Sequence, residues 1–256
     1  MWVSIPMGDN RIKAIFTTRS GGVSSFPFNT LNLSFQRADN MENVMENYRR
    51  LSKEFGVPME RMILSRQVHG STVTVVDKSH CGMGLVRQSS YGDTDGLVTC
   101  ERGVALVTFY ADCTPVYLYD PVSCAIGLVH SGWRGTLQNI PAKAVQKMKE
   151  AFGCKPENMI AALGPHIHQC CFEVGADVYR QFSEVFPDMQ DAMVPQKDKW
   201  YIDLSRIITR TLLREGLTAS NINDVNRCTV CENELFFSHR GGKGNSGTGA
   251  ALLMVS

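Results

Sequence analysis

The chain has 256 residues, of which 43% are hydrophobic and 20% are charged, and its formal net charge is +1. This is the composition of a globular protein that is long enough to bury a substantial core. A charge so close to zero gives no electrostatic reason to expect nucleic acid or an anionic membrane as a partner.

Cellular location is indicated by the N-terminal residues and the cysteines. The stretch MWVSIPMGDNRIKAIF lacks the basic start and the apolar run of a secretory signal. Asp112, Pro115 and several glycines interrupt the apolar runs that come nearest to the length of a membrane span. Nine cysteines in such a chain are expected to be thiols or metal ligands rather than disulfides. We therefore expect a soluble, cytoplasmic protein.

Hydrophobic periodicity predicts alternating strands and helices along the whole chain. In chain order the predicted elements are a strand at 11–19, a helix at 40–55, a strand pair within 62–77, strands at 97–99, 104–121 (interrupted at 111–115) and 125–130, a helix at 137–153, a strand at 159–163, helices at 177–186 and 204–215, and a strand at 250–255. There is no Rossmann fingerprint, internal repeat or linker. The predicted fold is α/β or α+β, a single domain over residues 1–256 with a mixed β-sheet core flanked by helices.

Three of the predicted strands end at a soft or borderline metal ligand. These ligands are His69 in RQVHG, Cys113 in ADCTP and His130 in LVHSG. Two imidazoles and one thiolate form a known catalytic zinc set whose fourth position is open to water or substrate. The three residues are far apart in sequence, so only the fold can bring them together. By themselves they fit equally well a buried core cysteine and two hydrogen-bonded histidines.

Six motifs extend this pattern and resemble the YfiH-type laccase-domain family. They are 66-RQVHG-70, 93-DTDGLVT-99, 111-ADCTPV-116, 128-LVHSGWRGT-136, 163-LGPHIHQCCFEV-174 and 236-FFSHR-240. The resemblance runs from residue 15 to residue 240. The family was once called multicopper polyphenol oxidase and is now described as a zinc-dependent purine nucleoside phosphorylase. It implies a layered sandwich fold and a zinc ion held by His69, Cys113 and His130.

The same resemblance implies phosphorolysis of adenosine, inosine, guanosine and methylthioadenosine, together with deamination of adenosine. Phosphorolysis needs cations for phosphate, and Arg19, Arg66 and Arg134 are the candidates. Deamination needs an activated water and a proton carrier. Trp133 offers a ring that can stack against a base.

Four carboxylates are candidates for the proton transfer, and the sequence does not choose among them. They are Asp93, Asp95, Asp112 and Glu173. Asp112 adjoins a metal ligand, so it fits a role in orienting that ligand equally well. Asp93 and Asp95 also fit a plain turn before a strand.

The remaining cysteine motifs have two interpretations each. Cys170 and Cys171 are a possible nucleophile pair activated by His166 or His168, or else one buried thiol and one that lines the pocket. Cys228-x-x-Cys231 fits a zinc ribbon or a redox motif, but no second CxxC exists to complete a structural zinc site. Because it is a lone CxxC just before an expected apolar strand, we expect its thiols to be free of metal.

The sequence departs from the family near its C-terminus. Gly241 and Ala250 stand where arginines are usual, and Lys243 is the nearest replacement for one of the charges. His168 replaces a small residue, which would narrow the pocket.

Three other functions use the same residues. The first is a copper oxidase, although six histidines are too few for the usual four-copper arrangement. The second is a hydrolase with Cys113 as nucleophile and His130 as base. The third is a nucleoside- or metal-binding protein without catalysis. We expect a monomer in each case.

Overall fold

The structure is a computed structural model that describes all residues from 1 to 256. Five α-helices are present: α1 (Met41–Phe55), α2 (Trp133–Leu137), α3 (Ile140–Phe152), α4 (Ala176–Val185) and α5 (Leu204–Arg214). The strands are β1 (Trp2–Ser4), β2 (Ile12–Thr17), β3 (Met62–Leu64), β4 (Val73–Val75), β5 (Gly96–Thr99), β6 (Ala105–Tyr110), β7 (Thr114–Asp120), β8 (Ala125–Ser131), β9 (Ile160–Leu163), β10 (Glu173–Val174), β11 (Met193–Gln196), β12 (Lys199–Ile202), β13 (Ile222–Asp224) and β14 (Gly249–Val255). No helix combines the length and the apolar composition needed to cross a membrane.

The strands form two large mixed sheets and one small antiparallel sheet. The five-stranded sheet has the order β1-β2-β14-β6-β3, and the six-stranded sheet has the order β13-β9-β7-β8-β5-β4. In each large sheet most neighbours are antiparallel, and parallel pairing occurs only at the edges, as in β3 with β6 and β4 with β5. Strands β10, β12 and β11 form the small sheet.

The two large sheets stack face to face, because their strands are apolar on both sides. Side chains alternate between the faces of a strand. In β14, Leu253 therefore packs against the other sheet, while Leu252 faces α1. In β7, Tyr117 faces the five-stranded sheet and Leu118 faces α3 and α5. The fold is a four-layer sandwich with the helices outside, which confirms the predicted α/β class with a sheet core flanked by helices.

Most predicted elements are present, and the helix at 40–55 is an example with clear local causes. The Asn40 side chain caps its start by accepting from the Glu42 amide at 2.7 Å. Gly56 ends it with φ of 73°, a left-handed backbone that glycine adopts without strain. Between these caps, Val44, Tyr48 and Leu51 face the core.

Three predictions about elements are wrong. Strands β3 and β4 do not pair with each other but lie in different sheets, where β6 and β5 are their partners. The helix expected at 137–153 begins only at Ile140 as α3, because Asn139 has φ of 56° and separates it from the short helix α2, which was not predicted. The segment after Cys231 forms turns instead of an apolar strand.

Candidate functional site

Two of the three expected metal ligands lie on connections between the large sheets. His69 lies in the loop that runs from β3 in one sheet to β4 in the other, and Cys113 lies between β6 and β7. His130 is on β8, directly before α2. The candidate donor atoms of the three side chains are within 4.8 Å of one another. The fold thus assembles a group that can hold a metal ion from three distant segments.

Asp95 organises two of these ligands. Its buried carboxylate accepts the backbone N–H groups of Val68, His69 and Gly70 at 2.9–3.1 Å. The same carboxylate lies 2.8 Å from Nδ1 of His130. With Nδ1 bonded in this way, Nε2 of His130 is the nitrogen left to bind a metal. Sequence reasoning had named Asp95 as a candidate proton carrier or as part of a plain turn, and not as a support for the ligands.

Gly132 explains one of the glycines that surround His130. A Cβ atom at this position would lie 2.9 Å from Sγ of Cys113 and 3.2 Å from Cδ2 of His69. Any side chain would therefore push against two of the three ligands. The glycine lets the chain pass directly beside the ligand group and then start α2 at Trp133.

The electrostatics of the group favour an ionised thiol. Burial opposes the charge on Cys113, but His130 and His69 outweigh it and lower its pKa to about 6. Burial likewise opposes protonation of His130, but Cys113 and Asp95 outweigh it and raise its pKa to about 9. A thiolate is the form of cysteine that binds metals and attacks electrophiles.

The ligand group opens into a large cavity. This cavity has a volume of about 680 Å³, which is within the usual range for small-molecule sites. Its lining includes the three ligands, four aromatic rings (Phe35, Phe109, Trp133 and Phe172) and four arginines (Arg37, Arg66, Arg134 and Arg240).

The four arginines differ in how they are already bonded. Arg66 pairs with Asp93 at 3.1 Å. Arg240 donates to the backbone carbonyls of Cys171 and Glu173. The guanidinium of Arg134 stacks over the ring of Trp133 at 4.1 Å and forms no ion pair. Arg37 is half-buried, and the one hydrogen bond of its side chain goes to Oγ1 of Thr248.

Arg19, Glu173 and Cys170, which were expected to bind or react, are not part of the cavity lining. The guanidinium of Arg19 is bonded to Asn29 and to the carbonyl of Asn233. Glu173 accepts a hydrogen bond from the hydroxyl of Tyr201 at 2.9 Å. The sulfur of Cys170 lies 3.7 Å from those of Cys228 and Cys231. The rings of the two histidines that were expected to activate it face each other at a tilt, with 4.4 Å between their centroids.

Asp112 lines the cavity, but its carboxylate is fully engaged. One oxygen accepts from Oγ1 of Thr229 at 2.7 Å, and the other accepts from the backbone N–H of Arg240 at 2.6 Å. These contacts favour the alternative in which Asp112 orients the chain next to Cys113.

None of the departures from the family pattern is part of the cavity lining. Ala250 is fully buried in β14, where it pairs with Phe109 of the lining. Gly241 and Lys243 lie beyond the cavity lining, as does His168.

Several lining residues were missed by sequence reasoning. Phe35 and Arg37 come from a polar loop before α1 that carries no motif. Arg240 and His239 lie in the FFSHR motif, which could have identified them.

Comparisons with known proteins agree with this fold. A family model described as multi-copper polyphenol oxidoreductase laccase matches residues 13–256. The chain is 34% identical over 242 residues to the purine nucleoside phosphorylase YlmD of Geobacillus stearothermophilus, covering 93% of this chain and 88% of YlmD. It is 31% identical over 232 residues to the adenosine deaminase RL5 of an unknown prokaryotic organism, covering 90% of this chain and 88% of RL5.

The structural comparison gives the same relationship. A crystal structure of YlmD from Geobacillus stearothermophilus matches with a TM-score of 0.93 and 32% identity, covering 99% of this chain and 96% of that one. The family match spans nearly the whole chain, and the motifs that carry the resemblance surround the ligand group. The chain therefore belongs to the multi-copper polyphenol oxidoreductase laccase family.

Proposed function

We propose that the protein is a zinc-dependent purine nucleoside phosphorylase that also deaminates adenosine. One observation carries this proposal: a single cavity is lined by the group of His69, Cys113 and His130, by aromatic rings and by arginines. Rings suit a purine base, and arginines suit phosphate. The names of the relatives YlmD and RL5 support both reactions.

Zinc fits the donor set on chemical grounds. Two imidazoles and one thiolate leave the fourth corner of a tetrahedron open, as in catalytic zinc sites. In such a site the donor atoms are about 3.3–3.8 Å apart, so the separations of up to 4.8 Å need only a small closure. When bound, the ion supplies a Lewis acid that can polarise an oxygen and lower the pKa of water.

In phosphorolysis, an oxygen of phosphate forms a bond to C1′ of the ribose while the C1′–N9 bond breaks. The purine leaves with the electron pair and takes up a proton, and ribose 1-phosphate is the second product. We assign the phosphate to Arg37 and Arg134. Neither pairs with a carboxylate as Arg66 does, and neither donates its terminal nitrogens to backbone carbonyls as Arg240 does. Arg66 also lines the cavity, but its charge is paired with that of Asp93.

In deamination, water adds to C6 of adenosine and ammonia leaves. The protein contributes by holding the base against the aromatic rings of the cavity. Among these rings is that of Trp133, which stacks against the guanidinium of Arg134. Asp95 and Asp112 keep the ligands and their loops in place through the contacts described above.

The test is turnover of inosine and adenosine, with and without phosphate, together with the metal content of each protein. The variants are Cys113→Ala, Arg37→Gln and the control Cys100→Ala, an exposed cysteine outside the cavity. We expect Cys113→Ala to lose the zinc ion of this group and both activities, Arg37→Gln to raise the KM for phosphate, and Cys100→Ala to match the wild type. A zinc-loaded wild type that converts neither nucleoside contradicts the proposal.

A hydrolase with Cys113 as nucleophile is the second candidate, because the pKa of Cys113 is lowered to about 6 next to His130. Turnover that persists after complete removal of metal by a chelator, and is abolished in Cys113→Ala, would favour it. Copper in place of zinc, with oxidation of phenols, would favour the oxidase instead.

Four further properties belong to this proposal. We place the protein in the cytoplasm as a monomer whose partners are purine nucleosides and phosphate. We also propose that residues 1–256 form one domain.

A further inference from the structure

A second group of sulfur atoms lies away from the cavity that holds His69, Cys113 and His130. Cys170 and Cys171 follow β9, and Cys228 and Cys231 follow β13. The four Sγ atoms are all within 4.8 Å of one another. Sequence reasoning left Cys228-x-x-Cys231 without metal because no second CxxC exists, but the fold supplies the second pair from the adjacent Cys170 and Cys171.

The spacing of these sulfurs is that of a metal tetrahedron. Sγ of Cys170 is 3.7 Å from each of the other three sulfurs, and Sγ of Cys171 is 3.5 Å from that of Cys231. Four thiolates around zinc, with Zn–S bonds of about 2.3 Å, have sulfurs about 3.8 Å apart. A disulfide requires about 2.05 Å between its sulfurs, and all nine cysteines are free.

The backbone holds the two cysteine pairs together without help from a metal. His166 donates its N–H to the carbonyl of Arg227, and Thr229 donates to the carbonyl of His166. The N–H of His168 points at Sγ of Cys228 at 3.5 Å. Such N–H groups stabilise thiolate sulfur. The donors are therefore arranged in advance by hydrogen bonds between two loops.

We propose that Cys170, Cys171, Cys228 and Cys231 bind a zinc ion with four thiolates, as a structural site separate from the group at His69. Four thiolates and no open position are typical of structural zinc rather than catalytic zinc. Binding releases the four thiol protons and leaves the site with a net charge of −2. Arg240, bonded to the carbonyl of Cys171, brings a positive charge close to it.

The two loops that this ion would join are the loops that hold Asp112. Ile167 donates its N–H to the carbonyl of Asp112, and Thr229 and Arg240 bind its carboxylate. Asp112 precedes Cys113, so the second ion fixes the chain next to one ligand of the first group. The four cysteines, called here the cysteine clamp, therefore stabilise the cavity through Asp112 without lining it.

The experiment is a zinc count on reduced, desalted protein. The variants are the double substitution Cys170→Ser/Cys231→Ser, which changes the two exposed members, the variant Cys113→Ser, and the control Cys100→Ser. We expect one zinc per chain fewer in the double variant than in the wild type and no change in Cys100→Ser. Zinc in the double variant equal to that in the wild type overturns the proposal.

This result is distinguishable from the outcome at His69. If the first group binds zinc, Cys113→Ser also loses one ion and retains one. If it does not, Cys113→Ser keeps the wild-type content, and the cysteine clamp is tested all the same by the double variant.

A second measurement covers the case in which the double variant does not fold. Cobalt(II) is added to metal-free Cys113→Ser, where the four-cysteine group is intact. The intense thiolate-to-cobalt charge-transfer absorption and the strong visible bands of a tetrahedral tetrathiolate are the expected result. Cobalt bound without these bands, iron in place of zinc in the purified protein, or disulfides between these cysteines under reducing conditions would each contradict the assignment.

Discussion

His69 and Asp112 have backbone conformations that side chains rarely adopt. Their φ angles are 60° and 90°, in a region that costs about 1–3 kcal/mol and persists only where neighbours enforce it. Asp95 enforces the first by accepting the N–H of His69, and Thr229 enforces the second by donating to Asp112. These hydrogen bonds therefore hold the backbone at His69 and at the residue directly before Cys113.

Gly132→Ala tests how closely the ligands are packed at the residue scale. The added Cβ would meet Sγ of Cys113 at 2.9 Å and displace it. We expect zinc affinity to fall by about 10–100-fold, the range found when the supports of metal ligands are changed. Competition with a chromophoric chelator measures it. Gly92→Ala is the control because nothing lies within 4 Å of its added Cβ, and equal affinities in the two variants would refute the packing argument.

The pH dependence of Cys113 alkylation in metal-free protein tests the charge arrangement. Since its pKa is lowered to about 6, the thiolate fraction rises as the pH increases through 6 and levels off above 7. An ordinary thiol reacts faster up to about pH 9. Labelling with iodoacetamide, followed by mass spectrometry of the peptide, gives the profile.

His130→Gln is the comparison for that profile. Removing the imidazolium takes away the main attraction for the thiolate, so the midpoint of alkylation should move to higher pH. An unchanged midpoint would mean that His130 does not stabilise the charge.

At the scale of elements, α1 supports the cavity through one buried side chain. The side-chain amide of Asn47 donates to Ser24 and to the carbonyls of Thr30 and Asn32, while its oxygen accepts from Val23. These bonds hold the loop before α1, which goes on to supply Phe35 and Arg37 to the lining.

Asn47→Ala should destabilise the protein by about 1–3 kcal/mol, because buried polar groups of the loop lose their partner. Urea unfolding measures the change in free energy. The matched control is Asn43→Ala on the same helix, where the side chain forms no hydrogen bond within the protein. A cost no larger than that of the control would show that the loop is held by other contacts.

Prediction from sequence was most successful for elements with local causes. Helix α1 carries its own caps and apolar stripe, and β7 and β8 are continuous apolar runs. The short strands β10 to β12 were missed, because Pro195 and the exposed Lys199 give them no clear alternation. The pairing of β3 and β4 failed for a different reason: which sheet a strand joins is decided by contacts distant in sequence.

At the scale of the whole molecule, the core between the two large sheets is the largest apolar cluster. It joins side chains such as Phe16, Leu106 and Leu253 from one sheet to Leu128 and Tyr117 from the other. The hydroxyl of Tyr117 also donates to the carbonyl of Ile15 across the gap at 2.8 Å. Separating the two sheets would therefore expose the apolar face of each of them to water.

Leu128→Ala should reduce the free energy of unfolding by about 2–5 kcal/mol, since it opens a cavity at this interface. If residues 1–256 are one domain, circular dichroism and tryptophan fluorescence should report a single coincident transition. The control is Val122→Ala, at a side chain that is 74% exposed. It should change the free energy of unfolding by less than about 0.5 kcal/mol. Two separate transitions would contradict a single domain.

The ligand set His69, Cys113 and His130 could be named from sequence because each residue ends an apolar run within a recognisable motif. The phosphate-binding arginines could not be predicted, because an arginine is available to a ligand only if its guanidinium is not already hydrogen-bonded within the protein. The sequence does not show that the guanidinium of Arg19 donates to Asn29 and Asn233. The four-cysteine group was likewise hidden, since its two halves lie almost sixty residues apart.

His69 and Cys113 lie on two connections between the large sheets, and this placement bears on whether folding or metal binding comes first. These ligands meet only after the sheets have stacked, so an ion cannot nucleate this fold as it does in a zinc finger. If this group holds the proposed zinc ion, the newly made protein would fold first and receive its ion afterwards through the cavity. Its active fraction in a cell would then follow the supply of free metal, and protein made without metal could be activated without refolding.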